Sequence, residues 1–417
     1  MHDDIELGTR TLSDRTPNGD PRLSRREFVG AAALAALGCA SGRMGATRAA
    51  PPPVGWELYV GTYTNDTESH GIYRLVVDAT SGASRQMAIA AKTVNPSYLA
   101  LAPGRRTLVA VNEVTTFEGR PTGTVSTFAR DPATGSLSPR GQRASRGGAP
   151  CYVTVDRAAR HALVANYVGG NVAVLPIGAD GSIGDASAVV QHTGRGAHPV
   201  RQAAPHAHCV VLAPSGGHVV VTDLGVDRIM VHRFDAATGT LSPSPMAEVA
   251  LRPGAGPRHL AFSADGRTLY VACELDSTLV ALDYDSDSGR LQERQRLSTR
   301  PAGATGENFP ADVHVHPSGR TVYVSNRGDD SVAVFAVAPL SGELSLTQSV
   351  ATGGRWPRNF AIAPDGKLLL VANQRSGTIV AFRVDQATGA LAPTGGRIAL
   401  PAPVCLLFTD GVARDRP

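Results

Sequence analysis

Apolar residues in this chain come in short runs, four to six long, that alternate with polar positions or run unbroken and stop at Gly, Asp or Asn. The stretch from Gly256 to Glu274 is the clearest example: an apolar strand, an Asp265-Gly266 turn, a second apolar strand, and charged residues at both ends. Period-two or continuous apolar patterning of this length predicts strands rather than helices. Versions of the stretch recur. An anchor Pro, followed 16 residues later by a small polar residue, pairs Pro96 with Asn112, Pro150 with Asn166, Pro257 with Cys273, Pro310 with Asn326 and Pro357 with Asn373. One copy carries Ala207 in the Pro slot opposite Asp223, and a last anchor, Pro403, opens an apolar run just before the chain ends. Successive anchors lie 54, 57, 50, 53, 47 and 46 residues apart.

A repeat near 50 residues without helical periodicity predicts a β-propeller. Turn glycines give the blade number independently. Gly82, Gly135, Gly181, Gly239, Gly289, Gly342 and Gly389 each follow a third strand, often as Asp-x-x-Thr/Ser-Gly, where positive φ is needed. Seven turns predict seven blades of four antiparallel strands. In blade 5 these are His259 to Ser263, Thr268 to Cys273, Thr278 to Tyr284 and Leu291 to Leu297. Blade 1 is composite: residues 58–92 supply three strands and Val404 to Phe408 the innermost, which closes the ring and removes its open edges. The propeller is expected to span 56–408, with a short tail over 409–417.

Composition adds exclusions. The 417 residues carry a net charge of +4, and the basic residues are not clustered, so nucleic acid is not an expected partner. Residues 1–50 stand apart. Ser24-Arg25-Arg26-Glu27-Phe28 precedes an apolar run from Val29 to Leu37 and then a Pro cluster, the order of parts in a twin-arginine export signal. This predicts the twin-arginine machinery as a partner and a periplasmic or extracellular destination, with membrane attachment only if Cys39 is lipidated. Cys151, Cys209, Cys273 and Cys405 lie far apart within apolar runs, which fits buried free thiols rather than a disulfide or metal framework. Nothing marks a cofactor site, and a monomer is expected.

The antiparallel topology puts the loops before each anchor and after each second strand on one rim, and short uniform turns on the other. The irregular, charged rim is where a site is expected. The position after each anchor reads Ser97, Cys151, His208, Arg258, Ala311, Arg358, Val404; the position after each second strand includes Glu113, Tyr167, Glu274, Arg327 and Gln374. His206, His208, Arg258, Glu274 and Arg327 are the candidate catalytic set, and Arg358, Asn326 and Asn359 the candidate substrate contacts. Guanidiniums with imidazoles and one carboxylate suit an anionic substrate and acid–base chemistry. The Asn residues that close the second strands also have a plain role, bonding local backbone. Trp356 and Phe309 are assigned to packing between blades, and His192, His198, His314 and His316 are given no role. No Gly-x-Ser-x-Gly elbow offers a serine nucleophile.

Pro205-His-Ala-His208, Thr222-Asp-Leu-Gly225, Gly256-Pro-Arg-His259, Cys273-Glu274, Ser325-Asn-Arg327 and Trp356-Pro-Arg-Asn-Phe-Ala361 together resemble the lactonase-family seven-bladed propellers. That family includes one type of 6-phosphogluconolactonase and the fungal carboxy-muconate cyclase. The resemblance implies opening of a lactone ring, or its reverse, without a metal. It also implies that the family's cluster of His, two Arg and Glu falls on His206 or His208, Arg258, Glu274 and Arg327. Ala207 and Cys273 depart from the pattern and remove no charged candidate. The expected activity is therefore that of an exported lactonase on a sugar-derived or similar anionic lactone, akin to 6-phosphogluconolactonase. Two alternatives are a cycloisomerase of muconate-type dicarboxylates and a propeller that binds without catalysis.

Overall fold

The computed structural model describes residues 55–412, all strands and connections with no helix among them. The export signal, Cys39 and the last residues of the tail lie outside the described residues. Seven antiparallel units form, each four strands deep, six from contiguous chain and one from Pro403–Val412, Gly55–Thr62, Gly71–Asp78 and Ser84–Lys92 in that spatial order; in one of them the outermost strand is in two pieces. The innermost strands of neighbouring units touch one another in sequence around the ring, and the seventh meets the closing strand. This is a seven-bladed β-propeller. The closing strand runs to Val412, four residues past the expected Phe408, because Trp56 and Gly55 continue the ladder opposite Gly411 and Val412.

The 16-residue spacing read from the sequence is a cross-strand pairing. Pro150 faces Asn166, Ala207 faces Asp223, Pro257 faces Cys273, Pro310 faces Asn326 and Pro357 faces Asn373 across the first and second strands of their blades. Immediately after each of these anchors the register slips, between Pro150 and Tyr152, Ala207 and Cys209, Pro257 and His259, Pro357 and Asn359, and over a longer step after Pro310. A β-bulge leaves one residue outside the ladder and re-aims its side chain. The residues so released are Cys151, His208, Arg258 and Arg358.

Blade 4 differs from its expected four strands. Its outer edge is split into Thr240–Leu241 and Ala247–Ala250. Pro243 and Pro245 stand between the two pieces, and neither can donate to a ladder. Elsewhere the outer strands are largely exposed, and the inner three of each blade are packed on both faces by neighbouring blades.

The turn glycines all adopt positive φ, from +67° to +83°. They also interlock the blades. Tyr59 donates to the Gly135 carbonyl of the next blade at 2.6 Å, and Tyr323 to that of Gly389 at 2.7 Å. At Gly389, φ is +76° and a Cβ would stand 2.2 Å from the Thr321 hydroxyl, whereas a Cβ at Gly104, φ +82°, would meet nothing within 4 Å. Both Gly→Ala changes incur the left-handed backbone cost of about 1–2 kcal/mol. Gly389→Ala is expected to lose at least about 1 kcal/mol more than Gly104→Ala through overpacking, read by urea unfolding of the two variants; equal losses would show that this turn is not wedged against its neighbour.

Candidate functional site

The charged rim is organised by one carboxylate. Glu274 follows the second strand of blade 5 and is buried, 3 % exposed. Its Oε2 accepts from Arg258 Nε at 2.7 Å and from Arg327 Nη2 at 2.6 Å, and its Oε1 accepts from Arg201 Nη2. Arg258 and Arg327 are themselves almost wholly buried. Arg258 uses Nη1 on the Ala311 carbonyl at 2.5 Å and lies 3.4 Å from His259 Nε2. Arg327 gives Nε to the Phe309 carbonyl and lies over the Trp356 ring at 5.4 Å. Three cations on one anion, in a dry setting, make an organised positive cluster.

Electrostatics follow from that arrangement. Burial by itself would raise the Glu274 carboxyl, but Arg327, Arg201, Arg258 and His208 together hold it well below the ordinary carboxylate value. Desolvation and the facing Arg327 and Arg358 charges pull Arg258 down, against the pull of Glu274. Arg327 is lowered to about 10 by burial and by Arg358, with Glu274 opposing. Arg201, although burial opposes it, is raised by Glu274 and Tyr167. Glu274 thus stays ionised and is a weak base; its part is to hold guanidiniums in place.

His206 is the half-buried imidazole of the mouth. Its ring stacks on Tyr167 with centroids 4.2 Å apart, and Nδ1 lies 2.9 Å from the Tyr167 carbonyl oxygen. A carbonyl only accepts, so Nδ1 carries the proton and Nε2 keeps the lone pair. Burial lowers its pKa from the usual value, Arg201 lowers it further, and Asp223 and Glu274 oppose. His206 is therefore neutral at pH 7. His208 is deeper, 1 % exposed, edge-on to both Tyr167 and His259.

The remaining predicted contacts separate. Arg358 is buried, donates to Gln374 Oε1 at 2.9 Å and lies over the Tyr63 ring, whose hydroxyl donates to Glu113. Asn326 and Asn359, in contrast, are engaged by protein. Asn326 donates to the Thr299 carbonyl at 2.9 Å and to Ser331. Asn359 donates to Asp312 at 2.9 Å and accepts from the Leu406 amide at 2.7 Å. Both are fully buried. The same latch recurs where Asn166 donates to the Ser145 carbonyl, which is the backbone role the repeat itself indicated.

Three contributors were not singled out in the sequence. Arg201 belongs to no repeat column; it sits in the connection of residues 192–206, and only folding brings it to Glu274. His259 and Asp312 occupy the column two after each anchor: Tyr98, Tyr152, Cys209, His259, Asp312, Asn359, Cys405. Tyr98 stacks on Tyr152 at 4.3 Å, Tyr152 meets His259 edge-on at 5.3 Å, and His259 Nδ1 lies 2.8 Å from Asp312. Asp312 also accepts from Asn359 and faces His314 at 3.1 Å. Reading one column further would have exposed this belt beneath the arginines. His192, given no role, lies 2.7 Å from Asp223, which in turn accepts the His206 amide at 2.7 Å. His198 Nδ1 accepts the Arg201 amide at 3.1 Å, so it shapes the turn that presents Arg201. Trp356 packs against Phe309 as expected, and also carries Arg327 and Arg375 over its ring. Cys151, Cys209, Cys273 and Cys405 are buried thiols outside any disulfide. Among the described residues no group of three or more His, Cys, Asp or Glu is placed to hold a metal ion.

The family model for the seven-bladed β-propeller lactonases matches residues 57–408. The chain belongs to that family. It is 37 % identical to the 6-phosphogluconolactonase of Bacillus subtilis over 292 residues, 70 % of this chain and 80 % of that one. The 6-phosphogluconolactonase of Pectobacterium carotovorum is 34 % identical over 49 % of this chain and 58 % of its own length. Among solved structures, the periplasmic gluconolactonase PpgL of Pseudomonas aeruginosa superposes with a TM-score of 0.78 at 35 % identity, over 86 % of this chain and 99 % of that one. Membership in the lactonase family and these relatives support a lactonase activity for this propeller.

Removing the central anion should be costly. Glu274→Ala leaves buried guanidiniums uncompensated and is expected to lose about 3–5 kcal/mol in urea unfolding. Because the folded carboxyl lies below its unfolded value near 4.5, its contribution is present above that pH and is lost as pH falls through the folded value. Wild-type stability should therefore drop more steeply below pH 4.5 than that of Glu274→Gln; superimposable slopes would contradict the arrangement.

Proposed function

We propose that this protein hydrolyses a sugar-derived lactone bearing an anionic group, at the arginine-lined mouth of the propeller, after export from the cytoplasm. The observation that carries the reading is the pairing of a cation excess with a neutral histidine. Arg201, Arg258, Arg327 and Arg358 outnumber Glu274 and Glu113 at the mouth, and His206, next to Arg201 and Glu274, holds a lone pair on Nε2. In the proposed reaction His206 Nε2 takes a proton from water as its oxygen attacks the lactone carbonyl carbon. The carbonyl oxygen becomes an oxyanion beside the guanidiniums. Arg327 commits Nε and Nη2 to protein acceptors, which leaves Nη1 for that charge. Collapse of the tetrahedral intermediate breaks the ring C–O bond, and the imidazolium returns its proton to the leaving alkoxide. Glu274 serves by fixing the guanidiniums. Arg358 is the second anion contact, steadied by Tyr63 and Gln374.

The paired arginines at Arg25-Arg26 and the periplasmic relative support export. An exported enzyme meets sugar lactones outside the cytoplasm, where phosphorylated ones are not made, so a relative's phosphorylated substrate need not be this chain's. The cation-rich mouth equally fits a muconate-type diacid, and muconates belong in the same assay.

Purified protein is expected to open aldonolactones, with His206→Gln reducing kcat at least about 100-fold while folding is kept. The acid limb of kcat/KM should lie below the ordinary histidine value of 6.5, because burial favours the neutral ring. Unchanged turnover in His206→Gln would remove His206 as the base, and turnover of muconates alone would favour the cycloisomerase. A reporter fused behind residues 1–50 should reach the periplasm, and changing Arg25 and Arg26 to Lys should retain it in the cytoplasm; export of the Lys form would refute the twin-arginine route.

A further inference from the structure

We infer that Arg201 is the specificity-determining residue of this mouth: it takes the substrate's anionic group and, in doing so, leaves Glu274, so that recognition of charge strengthens the base. This rests on the lactonase reading and adds the residue that selects the substrate class.

Four observations carry it. First, Arg201 is the guanidinium within reach. Its side chain is 16 % exposed, against 0 % for Arg258 and 2 % for Arg327. An anion entering from solvent meets it before the pair behind Glu274.

Second, its attachment differs. Arg327 stands at a paired strand end, and Arg258 in a bulge flanked by the pairs Pro257–Cys273 and His259–Ala272, whereas Arg201 extends from the 192–206 connection. That connection is firm at its base. Gln202 accepts the His198 amide at 2.8 Å and donates to the Leu224 carbonyl and Asp227 at 2.8 and 2.7 Å. The backbone is thereby held while the long side chain remains the movable part.

Third, its hydrogen bonds are half used. Nη2 serves Glu274 and reaches the Tyr167 hydroxyl at 3.5 Å, but the buried Nε–H has no acceptor. A carboxylate or phosphate binds a guanidinium through two adjacent N–H groups, so an anionic ligand would satisfy a donor that the protein leaves idle.

Fourth, the consequence of the move is local. Arg201 is the partner of Glu274 Oε1, while Oε2 is shared by Arg258 and Arg327. Swinging Arg201 to the substrate frees Oε1 and keeps the two buried arginines in place. His206 is faced by Tyr167, Asp223, Glu274 and Arg201. Withdrawing the cation from that set leaves the two carboxylates to stabilise the imidazolium formed on proton transfer. A neutral lactone gives no reason for the move and meets the weaker base.

The test compares Arg201→Gln and Arg201→Lys with wild type on two anionic substrates, glucarolactone and 6-phosphogluconolactone, and on neutral glucono-δ-lactone. The ratio of kcat/KM for anionic over neutral lactone should fall about tenfold or more in Arg201→Gln, with part of the loss in kcat, and Arg201→Lys should recover some of it. A smaller fall, or none, overturns the proposal. With the neutral lactone the acid limb of Arg201→Gln should move to higher pH, since a cation that disfavours the charged ring has gone; an unmoved limb overturns the link to the base. If wild type opens no lactone, the lactonase reading fails on its own. Calorimetry with glucarate and gluconate then decides the role of Arg201. Loss of the preference for glucarate in Arg201→Gln supports it, and an unchanged preference refutes it.

Discussion

The pairing of Pro403–Val412 with Gly55–Thr62 is the constraint on which the rest of this molecule depends. A ring of blades has no helix layer or second sheet to cover its edges, so the two ends of the array must cover one another. Asn359, in blade 7, reinforces the junction by accepting the Leu406 amide while its other side holds Asp312. Closure thus fixes the diameter of the channel, and with it the distances among side chains contributed by different blades.

Within that fixed ring, bulges convert a repetitive ladder into a site. A regular strand would turn alternate residues into the inter-blade packing. The slip after each anchor leaves Arg258 and Arg358 outside the pairing, where they meet groups from other blades. Buried arginines are costly unless matched, and Glu274 matches two strand-borne guanidiniums and one from a loop. The belt of Tyr152, His259 and Asp312 beneath them supplies further hydrogen bonds to groups that cannot reach water. The other rim consists of short glycine turns locked by Tyr59 and Tyr323, and it buries a smaller charge cluster of its own, Glu57 between Arg74 and Arg130 beside Gly135.

Much of this was legible from the chain alone because a propeller is a local fold repeated. In six of the seven blades the strands are consecutive, so the anchor-to-Asn spacing recorded a real cross-strand pair, and the glycine turns counted blades correctly. The Asn residues show where column reading stops being sufficient: Asn326 and Asn359 each stand one position from a candidate arginine, Arg327 and Arg358, yet spend their amides on Thr299, Ser331, Asp312 and Leu406. Position on a rim does not reveal which way an amide turns.

The sequence by itself determined the blade number, the rim that carries charge and the proximity of Arg258 to Glu274, since these follow from pairing between neighbours in the chain, and the composite first blade, since the repeat leaves an incomplete unit at each end. Tertiary structure alone decided that Arg201 joins them, that three guanidiniums share one carboxylate, and that His206 keeps its proton on Nδ1. Those facts depend on side chains 53 to 73 residues apart along the chain, or on a carbonyl in another blade. Their spacing carries no periodic trace, and only closure of the ring brings them within hydrogen-bonding distance.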